Sequence, residues 1–311
     1  MSTPGRWTRV AEVGTLGGLR AAAWIQRHLG RRPADVALLL AAAYYTLRNT
    51  AARRGSRRYL ARLAATPEGR SALRRRPGPL LVVRHFYEFA VTLYDRMLVW
   101  GGAVDTLDLR HDGTEQVFDL AGANRGALLL GAHIGSLELL GFLAKRYQLK
   151  FNVVTFYQNA ERINGFLESL GTSQVRLIEL DPSSVSAAFD IRACLERGEL
   201  VVILADRMPP GTGARTAEAS FLGHAARFPL SPFLLAGVLG CPVYLALCVR
   251  TGVAQYTSIM RPIAPPERPP RPPRAERDKR ARELLARYAA LLEETCQRHP
   301  LQWFNFFDFW E

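Results

Sequence analysis

His133 and Glu138 stand five positions apart in the stretch Gly131-Ala-His-Ile-Gly-Ser-Leu-Glu138. A neutral imidazole can take a proton from an alcohol or amine as that group attacks a carbonyl. A carboxylate behind the ring fixes its tautomer and stabilises the imidazolium that forms. Five steps of about 100° leave two helical positions about 140° apart, so the pair cannot share a helix face. They converge only if His133 sits on a turn and Glu138 alone is helical. Gly131 and Gly135 suit such a tight turn. Spacing alone is weak evidence, since about 0.7 chance matches are expected at average acid content with six His. Placement carries the weight.

Such a turn needs a strand before it and a helix after it. Ala127–Leu130 is a short apolar run fit for a buried strand, and Ser136–Tyr147 reads as a helix. The end of a strand running into a helix is where α/β proteins tend to place chemistry. Further apolar runs at Leu107–Arg110, Phe151–Phe156, Val175–Glu179, Leu200–Leu204 and Val243–Val249 read as strands. Helical stretches at Ile163–Leu170, Ser183–Glu196 and Leu230–Leu239 alternate with them. The alternation predicts an α/β fold with a central, mostly parallel sheet flanked by helices. Ahead of it, Thr15–Leu29, Pro33–Leu47, Arg53–Leu63 and Leu80–Trp100 read as helices, the first three making an Arg-rich helical N-terminal segment. Pro262–Pro273 reads as an extended linker. Leu284, Leu285, Tyr288, Leu291, Leu292 and Cys296 mark one face of a C-terminal helix.

Asp206 and Arg207 end a very apolar strand, where buried charge is costly unless used or paired. Either Arg207 contacts an acceptor or a phosphate while Asp206 shapes the loop, or the two form a structural ion pair. Arg227 could bind a phosphate or cap a strand. Glu88 and Asp95 are expected to face solvent or pair with Arg. The remaining His residues (28, 85, 111, 224 and 299) are expected to have no role, and none has a metal-ligand partner at useful spacing. No metal and no cofactor are expected. The six aromatics of Trp303–Trp310 either grip lipid headgroups or pack a last strand onto the core, and packing is preferred. Without a Walker loop, a GxGxxG motif or a GxSxG elbow, nucleotide hydrolysis, dinucleotide redox and the α/β-hydrolase mechanism lack support.

The charge is unevenly placed. Of 311 residues with a net charge of +13, residues 1–80 hold 16 Arg and 3 acids, whereas the remainder balances 25 basic against 25 acidic residues. A hydrophobic content of 48% with 22% charged residues excludes wholesale disorder, a collagen-like repeat and a disulfide-dense mini-protein. The four scattered Cys suggest neither a disulfide framework nor a zinc cluster, so a cytosol-facing protein is expected. Met1–Val10 is polar and argues against a cleavable signal, and the Val36–Leu47 apolar run is too short to span a bilayer. Arg31-Arg32 before that run is compatible with a twin-arginine signal, but no small-residue cleavage site follows. Peripheral association of the basic quarter with an anionic surface is expected.

At His133-x4-Glu138 the sequence resembles the glycerolipid-type acyltransferases, and within them the bacterial lipid A biosynthesis (late) acyltransferases and related glycolipid enzymes. The likeness runs from about Arg53 to Pro262. Tyr157-Gln158-Asn159 resembles the family's segment ahead of its acceptor pocket. Leu200–Arg207 with Gly211 resembles its strand and Asp-Arg turn, and Phe221–Pro229, including Arg227, its aromatic-Gly block. Ser136 and Leu137 stand where the family often has Asn and an aromatic. The Gln302–Trp310 ending is similar to a glycolipid or polyene-lipid branch.

The resemblance implies an α/β acyltransferase domain over 81–311, and the charge asymmetry makes residues 1–80 a basic helical membrane-docking segment. It implies an acyl carrier protein or acyl-coenzyme A donor, a lipid hydroxyl or amine acceptor, and His133 as general base without a covalent acyl-enzyme. Gln158, Asn159, Asp206, Arg207, Gly211 and Arg227 are then candidate substrate contacts beside Gly135 and Ser136. The implied location is the cytoplasmic face of the inner membrane. An Arg-rich nucleic-acid-binding protein and a lipid thioesterase or hydrolase are the competing readings, and no nucleic acid partner is expected on the acyltransferase reading.

Overall fold

The structure, a computed structural model, describes residues 30–100, 107–156, 175–180, 186–208, 215–264 and 273–310, together with Trp24 and His28. Four helices come first: α1 (Arg31–Arg48), α2 (Thr50–Ala65), α3 (Pro67–Leu73) and α4 (Pro79–Trp100). Strand β1 (Asp108–Asp112), helix α5 (Glu115–Gly122), strand β2 (Ala127–Gly131) and helix α6 (Glu138–Arg146) follow. Next come β3 (Phe151–Phe156), β4 (Val175–Leu180), α7 (Ser186–Glu196) and β5 (Leu200–Leu204). A hairpin of β6 (Thr216–Phe221) and β7 (His224–Pro229) precedes α8 (Ser231–Leu239). Strands β8 (Val243–Gly252) and β9 (Gln255–Ala264) and the long α9 (Arg274–Arg298) complete the elements.

Seven strands form one sheet in the order β1-β9-β8-β2-β5-β3-β4, antiparallel only where β8 meets β9. The expected α/β architecture is therefore observed. Strands β2 and β5 are apolar at every position because both faces are covered. In β2, Leu128 and Leu130 enter one core with α2, α8 and α9, while Ala127 and Leu129 enter a second core with α5 and α6. Each fully buried Leu or Val in these cores contributes roughly 1.5–3 kcal/mol.

The N-terminal helices share that first core. Ala42, Ala52, Tyr59, Leu60 and Leu63 pack with the β2, β5 and β8 side chains, so residues 31–65 do not stand apart from the sheet. Helix α1 also lies along α4, with Ala34 and Leu38 against Val91 and Tyr94. The expected helix at Thr15–Leu29 lies outside the described residues except at Trp24 and His28, which are helical. The expected helix Ile163–Leu170 also lies outside them.

Two expectations are corrected. Pro262 does not open a linker; it pairs with Tyr244 inside β9. Proline is tolerated there because β1 ends opposite Ile259, so no ladder partner on that side needs the missing N–H. The terminal aromatic stretch packs on the core, as preferred, but not as a strand: one isolated antiparallel bridge, Ile134 with Trp303, ties it to the rest. The expected face of α9 is buried at Leu284, Leu285, Tyr288, Leu292 and Cys296, with Leu291 half-buried.

Candidate active site

The chain leaves β2 at Gly131 and re-enters regular structure at Glu138, the first residue of α6. Between them His133 sits on a turn, as its spacing to Glu138 requires. Three backbone hydrogen bonds hold that turn. Ser136 N donates to Cys248 O at 2.8 Å, Gly135 N to Gln302 O at 3.0 Å, and Phe304 N to His133 O at 2.8 Å. Gly135 has φ +60°, and a Cβ there would lie 1.9 Å from the Cys248 carbonyl oxygen. Only glycine fits between the turn and β8.

The carboxylate on the imidazole is Asp206, where Glu138 was expected. His133 Nδ1 donates to Asp206 Oδ1 at 2.7 Å, and the His133 backbone N–H donates to Oδ2 at 3.0 Å. Trp303 Nε1 and Asn305 Nδ2 also donate to Oδ2, at 3.0 and 3.2 Å. Asp206 is fully buried, yet both of its oxygens are engaged, Oδ2 by three donors and Oδ1 by one. Glu138 is engaged elsewhere: Arg96 of α4 ion-pairs with one oxygen, and Ser136 Oγ donates to the other at 3.1 Å. Glu138 therefore braces the turn from the helix side.

Electrostatics follow from this packing. Burial would raise the Asp206 carboxyl, but His133 and then Arg207 hold it well below the usual carboxylate range. Burial, reinforced by Arg207, lowers His133 against the upward pull of Asp206. The imidazole is thus neutral at pH 7. Its Nδ1–H is committed to Asp206, which leaves the Nε2 lone pair as the proton acceptor. The His133 side chain is 29% exposed, so the ring is reachable although its partner is not. Burial would also raise Glu138, but Arg96 and Ser136 outweigh it and keep the carboxylate ionised.

Arg207 lies beside this pair. Its Nη2 donates to Phe304 O at 2.8 Å, its Nε to Asn305 Oδ1, and its guanidinium stacks 5.7 Å from the Phe307 ring centre. Arg227 stands on the exposed face of the β6–β7 hairpin, 3.5 Å from Glu218. Among the described residues no hydrogen bond ties it to His133. Gln158, Asn159 and Gly211 lie outside the described residues. Glu88 and Asp95 pair with Arg250 and Arg31, as expected. No three His, Cys, Asp or Glu side chains converge as a metal site among the described residues.

Trp303, Asn305 and Arg96 were not singled out from the sequence. A lone Asn within a run of aromatics was the available signal for Asn305, and the wrong carboxylate was matched to the ring.

The model for the bacterial lipid A biosynthesis acyltransferases matches residues 70–311. The chain belongs to that family. Membership implies an acyltransferase, with an acyl donor and a lipid acceptor. No curated protein matches the chain. The matched span takes in every strand of the sheet, both residues of the His133–Asp206 pair, and the C-terminal segment that supports them.

Proposed function

We propose that this acyltransferase moves a fatty acyl group from an acyl carrier protein or coenzyme A thioester to a hydroxyl or amine of a lipid or glycolipid. His133 Nε2 takes the proton of the acceptor as its oxygen or nitrogen attacks the thioester carbonyl carbon. The tetrahedral intermediate collapses by breaking the carbon–sulfur bond, and the imidazolium returns the proton to the departing thiolate. Asp206 keeps Nδ1–H pointed away from the acceptor and stabilises the imidazolium between the two transfers. The carrying observation is the 2.7 Å contact between His133 Nδ1 and Asp206 Oδ1 at the end of neighbouring parallel strands. Replacing His133 by Ala should abolish transfer from palmitoyl-coenzyme A to a bacterial lipid extract while leaving the melting temperature nearly unchanged. Near-normal transfer by that variant would sink the assignment. A thioesterase would release thiol equally well without the lipid extract.

The proposed location is an anionic, cytosol-facing membrane surface, with the enzyme peripheral. No helix of the described residues is long and apolar enough to cross a membrane. Helix α1 carries Val36, Leu39, Leu40, Tyr44 and Leu47 exposed along its outer side. Arg48, Arg54 and Arg57 are exposed nearby in sequence, whereas Arg53 caps the Thr46 and Leu47 carbonyls and Arg58 pairs with Asp308. The arginines to neutralise in a docking test are therefore Arg54 and Arg57. Their replacement by Gln should weaken flotation with phosphatidylglycerol vesicles in a salt-dependent way. Unchanged flotation would return them to a solvated face.

A further inference from the structure

Two of the four donors on Asp206 come from the segment that follows α9. Trp303 Nε1 and Asn305 Nδ2 both meet Oδ2, and Trp303 and Asn305 are 0% and 1% exposed. The same segment grips the backbone on both sides of His133, through Phe304 N to His133 O and Gly135 N to Gln302 O. The Gln302 amide is itself locked on β8, accepting from Arg250 N at 2.7 Å and donating to Arg250 O at 2.6 Å. Behind it, His85 Nε2 donates to Trp303 O at 3.0 Å.

Asn305 faces two neighbours with opposite demands. Its NH₂ meets the Asp206 carboxylate while its oxygen accepts from the Arg207 guanidinium. The amide can satisfy both in only one orientation. One side chain thus couples the base pair to the cation beside it.

We propose that Trp303 and Asn305 are positioning residues of the His133–Asp206 pair, and that Gln302–Asn305 is a working part of the active centre as well as core packing. The proposal rests on the reading of His133 as the base. The two donors fix the plane of the carboxylate, so that Oδ1 remains for the imidazole. They also draw electron density from Asp206 and so moderate its pull on the Nδ1 proton. Removing either donor leaves Asp206 a stronger acceptor, favours the imidazolium and raises the His133 midpoint. The other titratable groups facing the pair are Arg207 beside it, Glu138 with Arg96 on the helix side, and Tyr288 and Cys296 of α9. The substitutions below leave all of them in place.

The test is a histidine-ring NMR titration of the full chain, with the His133 signal assigned by its loss in His133→Gln. Trp303→Phe keeps an aromatic ring but removes the donor together with part of the buried indole; Asn305→Ala removes the other donor. Each should raise the His133 midpoint by at most about 0.7 pH unit, because one donor's share of a two-unit carboxylate depression spread over two or three donors is about 0.7–1 unit and only part of it reaches the ring. Asn305→Asp, which sets a second carboxylate beside Asp206, should raise it further. A His133 midpoint unmoved in folded Asn305→Ala overturns the proposal, whatever the change in melting temperature. If Trp303→Phe fails to fold, Asn305→Ala and Asn305→Asp carry the same comparison. The titration needs no substrate, so its outcome is separate from that of the His133→Ala transfer assay.

Discussion

Asp206→Asn changes one atom type and tests the whole arrangement. Oδ2 receives three donors, the His133 N–H, Trp303 Nε1 and Asn305 Nδ2, whereas Oδ1 receives one, from His133 Nδ1. An asparagine there has one oxygen to offer, and it settles where three donors wait. Its NH₂ then faces Nδ1, which must become an acceptor, and the ring proton moves to Nε2. In that tautomer Nε2 has no lone pair for the acceptor's proton. Restoring the active tautomer means flipping the amide and losing three hydrogen bonds. At about 1.5 kcal/mol each this costs roughly 4–5 kcal/mol, or a loss of about 10³-fold in rate. The lost charge lowers the rate further, since the imidazolium is no longer stabilised. The assay is thiol release from palmitoyl-coenzyme A with a bacterial lipid extract, run beside a thermal melt. Because Asp206 raises the His133 pKa, the residual activity should also show its acid limb displaced to lower pH. A folded Asp206→Asn enzyme within tenfold of the parent rate would refute both the tautomer argument and the role given to Asp206.

Glu138→Gln should cost less transfer activity than Asp206→Asn, because Glu138 meets Arg96 and Ser136 and not the ring; equal losses in the same thiol-release assay would return Glu138 to the ring. Gly135→Ala should destabilise the fold by at least about 2 kcal/mol through left-handed backbone strain and the clash with the Cys248 carbonyl, read as a lowered denaturant midpoint. His85 predicts an acid-sensitive stability. Burial pushes its pKa down to about 4, so between pH 6.5 and 4 the unfolded chain binds a proton that the native state refuses. Stability is full above pH 6.5 and falls by roughly 3 kcal/mol on descending to pH 4. Denaturation series should show that decline flattened in His85→Gln relative to the parent, and parallel curves would contradict the assignment.

Local pattern predicted the sheet well. The strands at Phe151–Phe156 and Leu200–Leu204 stand at their expected bounds, because a strand covered on both faces is a largely apolar run, continuous in Leu200–Leu204 and interrupted by Asn152 and Thr155 in Phe151–Phe156. The β6–β7 hairpin escaped as an element: its Phe221–Pro229 block was noticed, but Ala, Glu, Ser and Arg dilute its alternation. Its turn is set by Leu222 and Gly223, both at positive φ. The turn at His133 was legible because it rests on Gly135 and on a helix start a few residues on, both local. The partner of His133 was not, since no local pattern relates position 133 to position 206. Trp303 and Asn305 were hidden for a similar reason. Aromatic residues read as packing, and which one turns a polar edge toward a buried carboxylate depends on tertiary contacts.

The strand register supplies what spacing could not. In the parallel pairing of β2 with β5, Ala127 stands opposite Leu200 and Gly131 opposite Leu204, a constant offset of 73. Ala205 N still donates to Gly131 O, which carries the ladder one step past the named strands. Two positions beyond Gly131 is His133, and two beyond Leu204 is Asp206. The His133–Asp206 contact is thus the next side-chain pair of a ladder already fixed by five apolar rungs. A slip of one residue would turn the β5 side chains to the opposite face, exchanging Val201 and Ile203 of one core with Leu200 and Val202 of the other. It would also set Ala205 or Arg207 against the imidazole. The hydrophobic cores therefore specify the His133–Asp206 pairing, and Glu138, on the helix that leaves the sheet, has no such constraint holding it to the ring.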